Sequence, residues 1–213
     1  MSEVRSHVLV IQVRADDQSR KTENLLFRRC VRTTTPLEFV NAYVDVPEPD
    51  ILAARGVIIA GSPLSVFEPG VPNASKLEYA MRLCLRRKIP LLGICFGAQF
   101  IAHAMGGEVV RSKDAEEQGT FEMMRHAEGH GDELLVGIPK AFPAVCAHQD
   151  AIKRLPANST CLASSDRCLV QAFRLLGERV WGLQFHPERK DASDEWTVAA
   201  GVLPNFVERI CLG

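Results

Sequence analysis

Three short apolar runs in the first half of the chain, each followed by a segment of helical spacing, limit its fold most tightly. "HVLVIQV" (7–13), "GVIIAG" (56–61) and "LLGIC" (91–95) carry their apolar residues consecutively rather than at alternate positions. Such strands are buried on both faces, the condition found in parallel sheets covered by helices. After the first run, a polar stretch over residues 15–23 leads into the helix-like "ENLLFRRCV". "NAYVDV" (41–46) reads as a further strand, ended by Pro47. Residues 74–88 place Leu77, Ala80, Met81, Cys84 and Leu85 on one helical face. Pro90 opens "LLGIC", and a helix over about residues 98–105 follows, capped by Gly106-Gly107. Strand alternating with helix is the pattern of a parallel α/β sheet.

The second half offers shorter strand candidates at "EVVR", "TFEMM", "AVCA", "CLVQAF" and "RVWGLQF". The closing "DEWTVAAGVLPNFVERICL" reads as helical, broken or restarted at Pro204. The expected architecture is therefore α/β, with a mixed, largely parallel sheet flanked by helices in a three-layer sandwich. No internal repeat, low-complexity tract or linker interrupts the chain, so residues 1–213 read as a single domain.

Composition narrows the partners. A formal net charge of -1 on 213 residues, 24% of them charged, offers no surface for nucleic acid or an anionic membrane as the main partner. The basic runs Arg28-Arg29 and Arg86-Arg87-Lys88 read as solvated helix ends. No apolar stretch approaches the ~18 residues of a membrane span, and "MSEVRSHVLVIQV" lacks the layout of a signal peptide. Seven cysteines without a C-x-x-C pair suggest reduced thiols and a cytoplasmic location.

Cys95 stands between Gly93 and Gly97 where the strand rhythm changes to helical. A buried structural thiol is the bland reading, since free cysteine is among the most buried residue types. The chemical reading is an elbow: a nucleophile at a tight strand-to-helix turn is held at the carboxyl edge of the sheet, and glycines relieve the crowding around it. A helix starting near Phe96 would favour the thiolate and offer free amides to an oxyanion.

A thiol nucleophile needs a base. His7 precedes any catalytic edge, and His103 falls mid-helix. His126 and His130 have i,i+4 spacing but no further ligand set for a metal. His186 follows a strong strand and is separated from Glu188 only by Pro187. On extended backbone, residues two apart point the same way, so Glu188 can orient the imidazole. Cys95, His186 and Glu188 form the candidate triad.

These residues resemble the class I glutamine amidotransferases, whose elbow has the form G-x-C-x-G-x-Q. "GICFGAQ" (93–99) matches every fixed position, and the H-P-E element stands at 186–188. "IIAGSP" (58–63) resembles the family's glycine-proline loop, and "AHQD" (147–150) its S-H-x-D loop. The resemblance, which extends to the glutaminase domain of GMP synthase, implies a flavodoxin-like fold. It also implies glutamine hydrolysis through a γ-glutamyl thioester on Cys95. It assigns the oxyanion hole to Phe96, Gly61 and Ser62, and substrate binding to Gln99, His148 and Asp150. No metal or organic cofactor is expected.

Two departures stand out: Ser62 replaces a glycine common in the oxyanion loop, and Ala147 replaces the serine before the histidine. A separate synthetase is implied as the acceptor of the released ammonia. A γ-glutamyl peptidase or hydrolase with the same triad, and a non-catalytic regulatory or scaffolding protein, are the alternative readings.

Overall fold

A computed structural model describes residues 6–67 and 69–213 of the chain. Residues 1–5, the charged start of the N-terminal stretch, and Glu68 lie outside the described residues. The first half runs β1 (His7–Gln12), α1 (Asp17–Val31), β2 (Leu37–Asn41), α2 (Glu48–Ala53), β3 (Ala54–Ile59), α3 (Ala74–Arg87), β4 (Leu91–Ile94) and α4 (Phe96–Ala104). The second half is mainly strands: β5 (Glu108–Arg111), β6 (Glu117–Arg125), β7 (Ala141–His148), β8 (Asp150–Arg154), β9 (Ser159–Ser164), β10 (Ala172–Leu175) and β11 (Val180–Leu183).

Nine strands form one sheet in the order β2-β1-β3-β4-β11-β10-β9-β6-β7. From β2 to β11 neighbouring strands are parallel, and from β11 to β7 they are antiparallel. The sheet is thus mixed, with a parallel half as the consecutive apolar runs predict. A separate two-stranded ribbon pairs β5 with β8 and sets Arg111 opposite Asp150.

Both faces of the parallel half are covered. Val8, Val10, Ile58 and Leu92 pack toward a cluster containing Phe27 of α1 and Trp181, Phe206 and Ile210. Leu9, Ile11, Val57, Ile59 and Leu91 face the opposite way, onto Leu77 and Met81 of α3 and Phe96 and Ile101 of α4. Each such buried aliphatic or aromatic side chain contributes about 1.5–3 kcal/mol, and together the two clusters make the three layers.

The helix ends follow local chemistry. α1 starts where the Asp16 carboxylate accepts from Ser19 N at 2.7 Å, earlier than "ENLLF", because this cap and not the apolar run begins the helix. Arg28 and Arg29 fall in its last turn, where cations suit the helix dipole. α3 carries Leu77, Ala80, Met81 and Cys84 inward as its periodicity predicts.

The sequence reading fails in three places. Residues 42–46 form a turn, and the strand lies earlier, at β2, because Asn41 O accepts from both Val44 N and Asp45 N. "CLVQ" (168–171) precedes its strand: Cys168 N donates to Ser165 Oγ, Ser165 N donates back to Cys168 O, and this tight return joins β9 to β10. The closing segment is helical only from Val198, and it runs through Pro204 into a wide-turned stretch, Asn205–Cys211. Proline, which has no N–H to donate, is tolerated at that junction. Among the described residues no helix is long and apolar enough to cross a membrane.

Candidate active site

The chain leaves β4 and turns directly into α4 at Cys95, whose φ of 49° and ψ of -105° lie outside the ordinary regions for a side-chain-bearing residue. Such backbone costs about 1–3 kcal/mol and persists only where its surroundings enforce it. The enforcement is visible. A Cβ on Gly93 would lie 2.5 Å from Gly97 C and 2.6 Å from Ala98 N, and one on Gly97 would overlap the Ile59 carbonyl. Strand, turn and helix approach too closely for any side chain at either glycine. Cys95 N donates to Leu183 O at 2.7 Å, and Cys95 O accepts the first helical bond from Gln99 N.

β11 is the parallel neighbour of β4, with Leu183 opposite Ile94, so its carboxyl end delivers His186 to the same edge as Cys95. His186 N donates to Val145 O at 2.7 Å, which fixes the chain there. His186 Nδ1 lies 2.6 Å from Glu188 Oε1, and both side chains are buried. Among the described residues His186 Nε2 has no hydrogen-bond partner. Behind the pair, Cys30 Sγ lies 3.3 Å from Pro187 O.

Gly61 sits beside both Cys95 and the His186 imidazole. A Cβ there would come within 2.8 Å of His186 Cε1 and 3.6 Å of Cys95 Cβ. Ser62 follows, its hydroxyl accepting from Leu64 N at 3.2 Å. Phe96 opens α4; its ring is buried and stacked on Phe100. The first amides of a helix lack intrahelical acceptors, so the Phe96 N–H belongs to the free donors beside Cys95.

Electrostatics couples these groups. Burial alone would lower the His186 pKa, but the charges of Glu188 and Cys95 outweigh it and lift the imidazole to about 9. Burial likewise opposes ionisation of Glu188, and the adjacent His186 charge holds its carboxyl below the usual value. The pair is therefore a buried imidazolium–carboxylate.

Cys95 opens onto a cleft of about 200 Å³ whose walls include Ser62, Gln99, Arg111 and the segment 147–150. Gln99 is buried, and its Nε2 donates to Asp150 O at 2.8 Å and to Gln184 Oε1 at 3.2 Å. The Asp150 carboxylate accepts from Ser65 Oγ and from Arg111 Nε, the latter at 2.9 Å. The His148 imidazole turns inward, its Nε2 3.0 Å from Glu117 Oε2. Gln99, His148 and Asp150 thus converge on the cleft, with side chains engaged by other protein groups.

One group of side chains has a metal-like composition. Glu117, Cys146 and His148 are buried with potential ligand atoms within 4.8 Å of one another. The Glu117 oxygens, however, already accept from His148, Ser165 and Gln171. Burial would raise the Glu117 pKa, and these bonds hold it low. Burial and the neighbouring Glu117 charge push the Cys146 thiol up, keeping it protonated. The cluster is a hydrogen-bond network joining β6 to β7 in which the Glu117 carboxylate is fully engaged, while His148 Nδ1 and Gln171 Oε1 have no partner among the described residues.

Sequence reasoning missed Glu117, Ser65, Arg111 and Gln184. Gln184 lies two residues before His186, the one position among these with a local signal. The others are brought in by strand register and a loop contact. His103 is exposed, and His126 Nε2 pairs with Ser164 Oγ at 2.8 Å.

A family model described as glutamine amidotransferase class-I matches residues 16–198. The chain is 37% identical over 195 residues to a GMP synthase (glutamine-hydrolyzing) of Porphyromonas gingivalis, covering 92% of this chain and 35% of that protein. It is 34% identical over 160 residues to a GMP synthase (glutamine-hydrolyzing) subunit of Methanocaldococcus jannaschii, covering 75% of this chain and 74% of that one. The chain therefore spans about a third of the length of the first relative and most of the second. A solved glutamine amidotransferase of Thermotoga maritima has a TM-score of 0.74 at 21% identity, covering 97% of this chain and 99% of that one, a likeness of fold.

Proposed function

The chain belongs to the class I glutamine amidotransferase family, and from that premise we propose that it hydrolyses the side-chain amide of glutamine to glutamate and ammonia. The observation that carries the proposal is the buried His186–Glu188 pair, 2.6 Å apart, set beside an elbow cysteine with His186 Nε2 unengaged. Residues 1–213 act as one amidotransferase domain in this reading.

Cys95 is the nucleophile. His186, charged beside Glu188, holds on Nε2 the proton drawn from the thiol, and the thiolate sulfur attacks the substrate's amide carbon. The oxyanion meets the backbone amides of Phe96 and of the Gly61-Ser62 loop, donors that need no reorganisation as charge develops. Ser62 serves there through its amide, so the missing glycine costs no donor. His186 returns the proton to the departing nitrogen, ammonia leaves, and a γ-glutamyl thioester remains on Cys95. Water, deprotonated by His186, attacks the thioester and releases glutamate. Glu188 stays ionised throughout and holds the Nδ1–H, which fixes the tautomer.

Substrate binding uses the cleft walls. Gln99 and the 147–150 segment shape the end that receives the amino-acid group. Arg111, paired with Asp150, supplies positive charge there for the α-carboxylate. The ammonia passes to a synthetase carried on a separate chain. Its support is the similarity to the Methanocaldococcus jannaschii protein, which is described as one subunit of a GMP synthase.

Purified protein given glutamine or a γ-glutamyl peptide tests the assignment. Release of ammonia from glutamine, abolished by Cys95→Ser, is expected. Cleavage of the peptide alone would transfer the assignment to a γ-glutamyl hydrolase.

A further inference from the structure

We propose that Gln184 is a further catalytic residue, whose side-chain amide donates a hydrogen bond to the Cys95 sulfur and favours its thiolate. The proposal rests on Cys95 being the nucleophile. Gln184 is fully buried directly after β11, and Gln184 Nε2 lies 3.7 Å from Cys95 Sγ, within reach of an N–H···S bond. Its backbone N donates to Gln171 O at 2.8 Å, which fixes the chain at this position.

The direction of the amide is set by a sequence of forced choices. Asp150 O is a carbonyl and only accepts, so the amide nitrogen of Gln99 must face it, at 2.8 Å. The same nitrogen then presents its second N–H to Gln184 at 3.2 Å, which must answer with its oxygen. The Gln184 nitrogen is left pointing at the sulfur. A carbonyl in the 147–150 segment thus sets, through two buried amides, which atom meets the nucleophile.

The other partner of the sulfur favours the opposite state. Ala147 O lies 3.9 Å from Cys95 Sγ and accepts from the neutral thiol, but it repels the anion. A donor that persists after the proton leaves gains strength from the negative charge. Among the described residues, Gln184 is the side chain other than His186 that can play this part. Unlike His186, it cannot remove the proton; it lowers the cost of having removed it.

The test is the rate of Cys95 alkylation by iodoacetamide across a pH series, read by peptide mass spectrometry on the full chain. Gln184→Met keeps the length of the side chain without the donor. Gln184→Asn keeps the amide but falls short of the sulfur, so either variant that folds suffices. At neutral pH each should alkylate more slowly than the parent by about tenfold or more, the low end of one lost charge-assisted bond. The midpoint of the pH profile should move up, and kcat for glutamine should fall more than KM changes. Packing alone would not move the midpoint. A folded variant whose rate and midpoint match the parent's overturns the role of Gln184. A parent protein whose Cys95 resists the reagent at every pH overturns the nucleophile assignment instead.

Discussion

Gly61→Ala is the sharpest steric probe of the site. The new methyl would sit 2.8 Å from His186 Cε1 and 3.6 Å from both His186 Nδ1 and Cys95 Cβ. Carbon–carbon contacts settle at about 3.5–4.0 Å, so the imidazole must recede by roughly an ångström. The ring cannot do so freely, because Nδ1 is held 2.6 Å from Glu188 and the side chain is fully buried. A misplacement of about 1 Å in a catalytic group costs on the order of a hundredfold in rate, equivalent to about 2.7 kcal/mol of barrier. Overpacking should cost about 1–3 kcal/mol of stability, leaving the fold intact.

The assays are ammonia release under saturating glutamine and thermal unfolding of the same samples. Gly131→Ala is the control, since a Cβ there meets nothing within 4 Å; it should leave both readouts unchanged. If Gly61→Ala folds and turns over within about threefold of the parent, the placement of the loop against His186 is wrong.

Three further outcomes are expected. Cys95→Ser should lose roughly 10³-fold or more in turnover, because an alkoxide forms far less readily than a thiolate; steady-state ammonia release checks it. His186 binds its proton more tightly in the folded protein, with a pKa of about 9 against an ordinary 6.5. The stabilisation from the charged ring is therefore complete below pH 6.5 and lost as pH rises through about 9. Glu188→Gln removes the larger of the charges raising that pKa, so the alkaline limb of the pH–rate profile should move to lower pH. Trp181→Ala should destabilise the fold by about 3–5 kcal/mol, seen by denaturant unfolding. It empties a fully buried site and removes the Trp181 Nε1 donor, at 3.0 Å, from the Asp132 carboxylate, which keeps Leu134 N and Arg174.

What was legible in the sequence was local. The elbow at 93–97 and the His186–Glu188 pair are short-range patterns, so they could be read before any fold, but the extended backbone expected at 186–188 is instead a turn, closed by Arg189 N donating to His186 O at 3.3 Å. The consecutive apolar runs at 7–13, 56–61 and 91–95 likewise announced a covered parallel sheet. Register was not legible. Nothing in the chain tells that Glu117 lies opposite His148 on neighbouring strands, or that β8 pairs with β5 and brings Arg111 to Asp150. Nor could the Gln99–Gln184 contact be foreseen, since 85 residues separate its partners. "NAYVDV" misled because its apolar residues were outweighed by hydrogen bonding at Asn41. The side chain of Asn41 accepts from Tyr43 N and donates to Arg14 O, fixing a turn there.

The central claim is that one sulfur among seven carries the chemistry. Burial pushes the Cys30, Cys168 and Cys211 thiols up to about 12, which keeps them unreactive at neutral pH. Treating the protein with an electrophilic glutamine analogue and mapping the adduct by mass spectrometry tests the claim directly. A single adduct on Cys95, formed in step with loss of ammonia release and blocked by glutamine, is the predicted result. Ammonia release that disappears while Cys95 stays unmodified would contradict it.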